Sequence, residues 1–308
     1  MSVFQRTPWG QLGMKLQGDS QHLIADAIKN AGLGWQAEKV KLVTEDAKNP
    51  TGYYAIRRSD NQEVLGCVGS RYTILQNAEA FSQFQPFLDA KEATLDSAGS
   101  FDEGRIVWIL AKINRDPIVV GKSDEISKFV LLSHSHDGKM SVRLGYTPIR
   151  IACQNTLSVA HKSDASSLIR IRHNSNVVRN LTEIRNLMNL ADEEFQSTGE
   201  RYRHLASRGV HRGDLFKYVK KVLDVDETTG LTKQEESNIS DIIYKFEHGL
   251  GNDQKDIAGT WWAAYNGVTE WLSHTKGRNA DSRISSLWLG QSSLVNKKAF
   301  DLAVEMAN

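Results

Sequence analysis

Residues 142–156 read VRLGYTPIRIACQNT, and residues 167–174 read SLIRIRHN. In both, aliphatic residues alternate with arginine, the period-two pattern of a strand whose two faces differ. Val142 and Leu144 fall on one side with Arg143 between them, and Ile169 and Ile171 fall opposite Arg170 and Arg172. The spacing predicts strands with aliphatic side chains in the core and guanidinium groups outside. Tyr146 shares the parity of Val142 and Leu144 and goes with the core.

Hairpin signals surround this segment and make the sheet antiparallel. SKFVLLSHS and MSVRLGYT are joined by HDGK, where Asp137-Gly138 suits the positive φ angles of a tight turn. Upstream, ATLDSAG and RIVWILAKI pair around SFDEG, KVKLVT and YYAIRR pair around AKNPTG, and EVLGCVG continues as a strand. Helices interrupt the pattern. SQHLIADAIKNAG (20–32) predicts a helix with Ser20 as N-cap, Leu23, Ile24, Ala27 and Ile28 as its apolar face and Gly32 as its stop. Asn77 is expected to cap AEAFSQFQPFLD, which Pro86 breaks.

After Asn174 the period changes to that of helices. One long segment carries Val178, Leu181, Ile184, Leu187 and Met188 on a stripe; DLFKYVKKVLD, EESNISDIIYKFEHG, DIAGTWWAAYNGVTEWLSHTKG and SSLVNKKAFDLAVEMA follow. KGRNADSR (276–283) reads as a basic loop. The expected fold class is α+β: a mostly antiparallel sheet with inserted helices, followed by a helical C-terminal region. It divides into an N-terminal segment (1–34), a sheet domain (35–173) and a helical region (174–308) packing on the sheet.

Composition sets outer bounds. Of 308 residues, 40% are hydrophobic and 24% charged, which is globular rather than disordered or fibrous. A net charge of +1 excludes a general polycation, so any nucleic-acid site must be a local patch. Cys67 and Cys153 are the only cysteines; this argues against a disulfide framework or a cysteine zinc site and fits a reducing compartment. No apolar stretch reaches the ~20 residues of a membrane span, and the first residues lack a secretory apolar region. A protein of the cytoplasm with no membrane partner is expected.

Cations cluster between residues 139 and 185. Lys139, Arg143, Arg150, Lys162, Arg170, Arg172, Arg179 and Arg185 are opposed only by Asp164 and Glu183, whereas the preceding segment carries Glu92, Asp96, Asp102, Glu103, Asp116, Asp124 and Glu125. Arginine forks match phosphate oxygens bidentately, so one reading is a sheet face that cradles a nucleic-acid backbone. Gln154, Asn155, Thr156, His173 and Asn174 would add neutral hydrogen bonds. The competing reading is a solvated strand face paired with the acidic strands. His134, His136 and Asp137 are weak metal candidates, since two imidazoles and a carboxylate occur within four residues; polar residues are expected at a hairpin end anyway, and no other ligand pair with metal spacing stands nearby in sequence. No nucleophile elbow, phosphate loop or dinucleotide-binding glycine pattern occurs, and Cys153 sits in an apolar run where thiols are inert. No cofactor and no covalent chemistry are expected. Trp261, Trp262 and Tyr265 predict an aromatic anchor for their helix, with a protomer interface as the sharper alternative.

Several stretches are familiar together. YTILQNAEAF (72–81), SHSHDGKMSVRLGYTPIRIACQNTL (133–157), IRHNSNV (171–177) and WWAAYNGVTEWLSH with RISSLWLG (261–290) occur in the order of one family. The chain resembles the phage/plasmid-like proteins that carry the domain of unknown function numbered 932. The resemblance implies a mobile-element origin in a bacterial host cell and brings no activity or catalytic residue with it. A remoter similarity to phage strand-annealing recombinases implies binding of single-stranded DNA as an oligomer. The expectation is therefore a DNA-metabolism protein, a homo-oligomer, that holds single-stranded nucleic acid through Lys139, Arg143, Arg150, Lys162, Arg170, Arg172 and Arg179. The alternatives are a non-catalytic oligomeric interaction protein acting on a host factor and a metal-dependent enzyme at His134, His136 and Asp137.

Overall fold

The computed structural model describes residues 7–18, 22–153, 155–157, 168–171, 184–226, 228 and 230–308; at 168, 169, 171 and 184–194 it describes the backbone alone. The chain enters through a short strand, β1 (Gly13–Lys15), followed by helix α1 (Ile24–Asn30). Ile24, Ala27 and Ile28 are buried as the periodicity predicts, whereas Leu23, expected on the same face, is 49% exposed. The expected cap Ser20 lies outside the described residues, and Leu23 occupies the cap position.

Strands β2 (Ala37–Val43), β3 (Pro50–Arg58) and β4 (Val64–Gly69) form an antiparallel meander. It is a sheet of its own, separate from the larger one that follows. Helices α2 (Asn77–Ser82) and α3 (Gln85–Asp89) divide ahead of Pro86, which lies in the first turn of α3. The cap of α2 is Gln76 rather than Asn77: the Gln76 N–H donates to Glu79 Oε2 at 3.0 Å. Asn77 is buried one position inside and donates to the Leu33 carbonyl at 2.9 Å.

The large sheet contains β5 (Ala93–Phe101), β6 (Ile106–Ile113), β7 (Ile118–Val120), β8 (Asp124–Ser135), β9 (Val142–Arg150), β10 (Asn155–Thr156) and β11 (Leu168–Ile171). Its order is β1-β5-β6-β8-β9-β10, with β11 also on β9 and β7 on β8, every pairing antiparallel. The β8–β9 hairpin turns through Gly138 at φ 75°, and Asp137 keeps a negative φ. Asp137 instead accepts the Lys139 N–H at 2.9 Å, an Asx turn.

Both faces of this sheet are covered. On β6, Val107, Ile109 and Ala111 belong to a core shared with α1, α2 and α3, while Trp108 and Leu110 point into a second core. Val130 and Leu132 of β8 join the first and Phe129 and Leu131 the second. Two-sided burial explains why IVWIL and FVLL are unbroken apolar runs rather than alternations. At the β1 edge, Gly13 pairs with Gly99. A Cβ on either would stand 2.7 Å from the Trp108 ring, so the absence of side chains lets the indole lie across the two strands.

The second core is closed by helices α4 (Ile184–Ala206), α5 (Arg212–Val222), α6 (Lys233–His248), α7 (Trp261–Glu270), α8 (Ala280–Leu289) and α9 (Gln291–Ala307). The α4 stripe expected at Val178 to Met188 lies outside the described side chains. In α7 every residue from Trp261 to Thr269 is buried, so this is an internal helix, apolar apart from Asn266 and Thr269. Tyr202 of α4 packs on Trp262 at 4.8 Å and Tyr265 meets Phe300 of α9 at 5.3 Å. The aromatic-anchor reading holds. A π-helical turn (Trp271–Thr275) extends α7. The expected loop 276–283 ends early: Asn279 caps α8, its side chain accepting the Ser282 N–H at 2.8 Å.

Candidate nucleic-acid interface

Strand β9 carries two of the basic positions in question, Arg143 and Arg150, and β11 carries Arg170; their neighbours give each a different environment. Arg143 and Arg170 stand in direct register across β9 and β11. Arg170 is exposed and Arg143 half-buried. Burial first, and Arg170 second, pull the Arg143 guanidinium below its ordinary pKa. Arg143 Nη1 donates to the Leu289 carbonyl at the end of α8, at 2.8 Å, as cations do at helix C-termini. Among the described residues neither arginine has a carboxylate partner. The pair is thus two like charges placed opposite each other, an arrangement that costs a sheet stability.

Arg150 is a correction to the open-face expectation. Its side chain is 0% exposed. The guanidinium is used up within the chain: Nε donates to both Asp124 oxygens at 2.9 and 2.8 Å, Nη1 to Asn252 Oδ1 at 3.0 Å and the Leu250 carbonyl at 3.1 Å, and Nη2 to the Gly251 carbonyl at 2.9 Å. Trp262 Nε1 completes the carboxylate, donating to Asp124 Oδ2 at 2.7 Å. Strict alternation already sets Arg150 on the parity of Val142, Leu144 and Tyr146 rather than that of Arg143, and Arg150 ends β9 where the helical layer closes over the strand. It ties sheet to helices and does not face a ligand.

Lys139 projects from the β8–β9 turn, with its side chain 85% exposed and its ammonium 3.9 Å from Asp137. Lys162, Arg172 and Arg179 lie outside the described residues, as do Gln154, His173 and Asn174. Asn155 and Thr156 are buried rather than facing a ligand. Asn155 Nδ2 donates to Thr269 Oγ1 at 3.2 Å, and the Thr156 carbonyl accepts from Asn296 Nδ2 at 3.0 Å. His274 Nε2 lies 3.2 Å from the Cys153 carbonyl and 3.1 Å from Asn155 Oδ1; burial lowers the His274 pKa to about 4. These groups pin β10 to the π turn and to α9. Burial raises the Cys153 thiol to about 11, which keeps it protonated and unreactive.

His134 and His136 are not at an exposed hairpin end. Both are 0% exposed, with ring centroids 4.7 Å apart, and His136 packs on Trp35 at 4.9 Å. His136 Nε2 meets Asn77 Oδ1 at 3.0 Å. The two rings are core side chains on the face of β8 that meets α2. Among the described residues, no three His, Cys, Asp or Glu side chains gather closely enough to hold a metal.

In the 276–283 segment, Lys276 is half-buried with Nζ 5.4 Å from the Trp271 ring, and Arg283 Nε donates to the Lys276 carbonyl at 3.0 Å. Arg278 alone of the three cations is exposed. A shallow groove of about 410 Å³ lies beside it, lined by Gln234, Asn238, Asp241, Trp271, Thr275 and Lys276; its charges are mixed. A run of exposed cations, Arg203, Arg208, Arg212, Lys217 and Lys221, lies elsewhere, on the corner between α4 and α5, which the strand-based reading passed over.

Among the described residues no helix is long and apolar enough to cross a membrane. A family model described as Domain of unknown function (DUF932) matches residues 64–288, from β4 to the end of α8. No curated protein and no solved structure matches the chain.

Proposed function

The chain belongs to the DUF932 family, and from that membership, which carries no activity of its own, we propose that it binds single-stranded nucleic acid in the DNA metabolism of a mobile element. The observation that carries the reading is the Arg143–Arg170 pair, two cations in register with no carboxylate between them among the described residues. A phosphate diester at that edge would relieve the repulsion and accept from the exposed Arg170 fork. The action is charge neutralisation and presentation of a strand, without bond making. Arg150 has no part in it, and the binding edge is the β9–β11 border rather than a sheet face. Assembly as a homo-oligomer, and use in strand annealing, belong to the same proposal.

Filter binding of a single-stranded oligonucleotide over a range of salt tests it. Arg170→Ala is expected to weaken binding and to lower the slope of log K against log salt by about 0.7, the share of one phosphate contact on a single strand. Arg143→Ala is unsuitable because it also uncaps α8. An unaltered slope in Arg170→Ala would remove this edge from the interface.

A further inference from the structure

Helix α5 has two distinct sides. Leu215, Tyr218, Val219 and Val222 are buried, while Phe216, Lys217 and Lys221 are exposed and Lys220 is half-buried. At 100° per residue these four form one stripe opposite the core. Arg212 at the start of α5, Arg208 in the connecting loop and Arg203 in the last turn of α4 are also exposed. Between residues 199 and 221 only Glu200 and Asp214 are acidic, in a chain whose net charge is +1. The rest of the molecule is therefore net acidic, and this corner concentrates the positive charge.

Part of that charge has a local explanation. Lys220 and Lys221 lie in the last turn of α5, where cations favour the helix dipole. Lys217 lies 3.7 Å from Asp214. Arg212 has no such explanation: it is the first residue of α5, the end at which a cation opposes the dipole. Among the described residues Arg208, Arg212 and Lys221 make no ion pair. Phe216 is also anomalous. Its ring is 38% exposed amid this charge, with Lys220 Nζ 5.3 Å from the centroid. An exposed aromatic ring among cations is the composition of a single-strand platform, on which phosphates meet the cations and a base stacks on the ring.

We propose that the α4–α5 corner is a second single-strand contact, with Arg208, Arg212, Lys217 and Lys221 along the phosphates and Phe216 under a base. The proposal rests on the nucleic-acid reading above and extends it to a surface outside the sheet. The α5 stripe is about 14 Å long at 1.5 Å per residue, room for a few nucleotides rather than a long tract.

Fluorescence anisotropy with a labelled oligothymidylate, from about 50 mM to about 200 mM salt, tests it. The variants are Lys217→Ala with Lys221→Ala, Phe216→Ala, and Arg170→Ala as the marker of the strand edge. The double lysine variant is expected to bind about tenfold more weakly at low salt, with a slope smaller by about 1.4. Phe216→Ala is expected to lose at least about fivefold in affinity with its slope unchanged. All three are surface changes, and an unchanged thermal melt confirms the fold. If Arg170→Ala weakens binding while the lysine and phenylalanine variants match the wild type, the corner is overturned and the strand-edge reading stands. If the wild-type chain binds no oligonucleotide, both fall.

Discussion

Arg150 and Asp124 show how one residue can reverse its expected role. From sequence, Arg150 is one of a series of outward guanidinium groups; in the fold it is the most enclosed cation of β9, bonded to Asp124, Asn252 and two loop carbonyls. What distinguishes it from Arg170 is a partner 26 positions back in β8 and three more about 100 positions on, separations that no local pattern sees. A buried ion pair is weak as a source of stability, but breaking it leaves a charge stranded. Arg150→Ala is therefore expected to destabilise the chain by about 3–5 kcal/mol, read as a lowered denaturant midpoint. Asp124→Ala, which also strands the Trp262 N–H, is expected to do similar damage, and the double variant less than the sum. Additive losses would show that the pair acts as two separate contacts.

At the scale of elements, the sequence was most legible where signals were local. Hairpin turns, the strand at SLIRIRHN, the Pro86 break and the helices from α4 to α7 all follow from period and punctuation. The two-sided burial of the sheet was also written in IVWIL and FVLL, unbroken apolar runs that parity at Arg143 and Arg170 overshadowed. The start of α8 was missed because its first turn, ADSR, is polar and follows a glycine; the Asn279 cap was the available signal. The junction of the π turn with β10 was not legible, since it joins His274 to Asn155 and Cys153 over more than a hundred residues. It makes a pH prediction. His274 is held neutral, its folded pKa lowered from 6.5 to about 4 by burial, with Lys245 and Arg283 as nearby cations. The unfolded chain then binds the extra proton between those values, so stability is full above about pH 6.5 and falls as pH drops toward 4. The loss approaches about 3 kcal/mol. His274→Gln is expected to flatten that dependence in urea midpoints measured from pH 7 to pH 4.5; an equally steep fall in the variant would place the titrating group elsewhere.

For the whole molecule, the sheet is a wall between two cores rather than an open cradle, and this decides where a polyanion can sit. On β9 the two arginines are engaged by the chain itself, Arg150 by Asp124 and Arg143 by the end of α8. The exposed cations of the proposed interface are Arg170 on β11 and the group on the α4–α5 corner. The basic segment was thus legible as a composition but not as a surface: Arg170 remains, Arg150 does not, and the corner at Arg208 to Lys221 carried no strand pattern to draw attention to it. The most direct measurement is hydrogen–deuterium exchange of the full chain with and without a saturating single-stranded oligonucleotide. The account predicts slowed exchange in residues 168–171 and 208–221, with β5 and β6 unchanged. Bound oligonucleotide with protection confined to other segments, or exchange identical in both states, would contradict it.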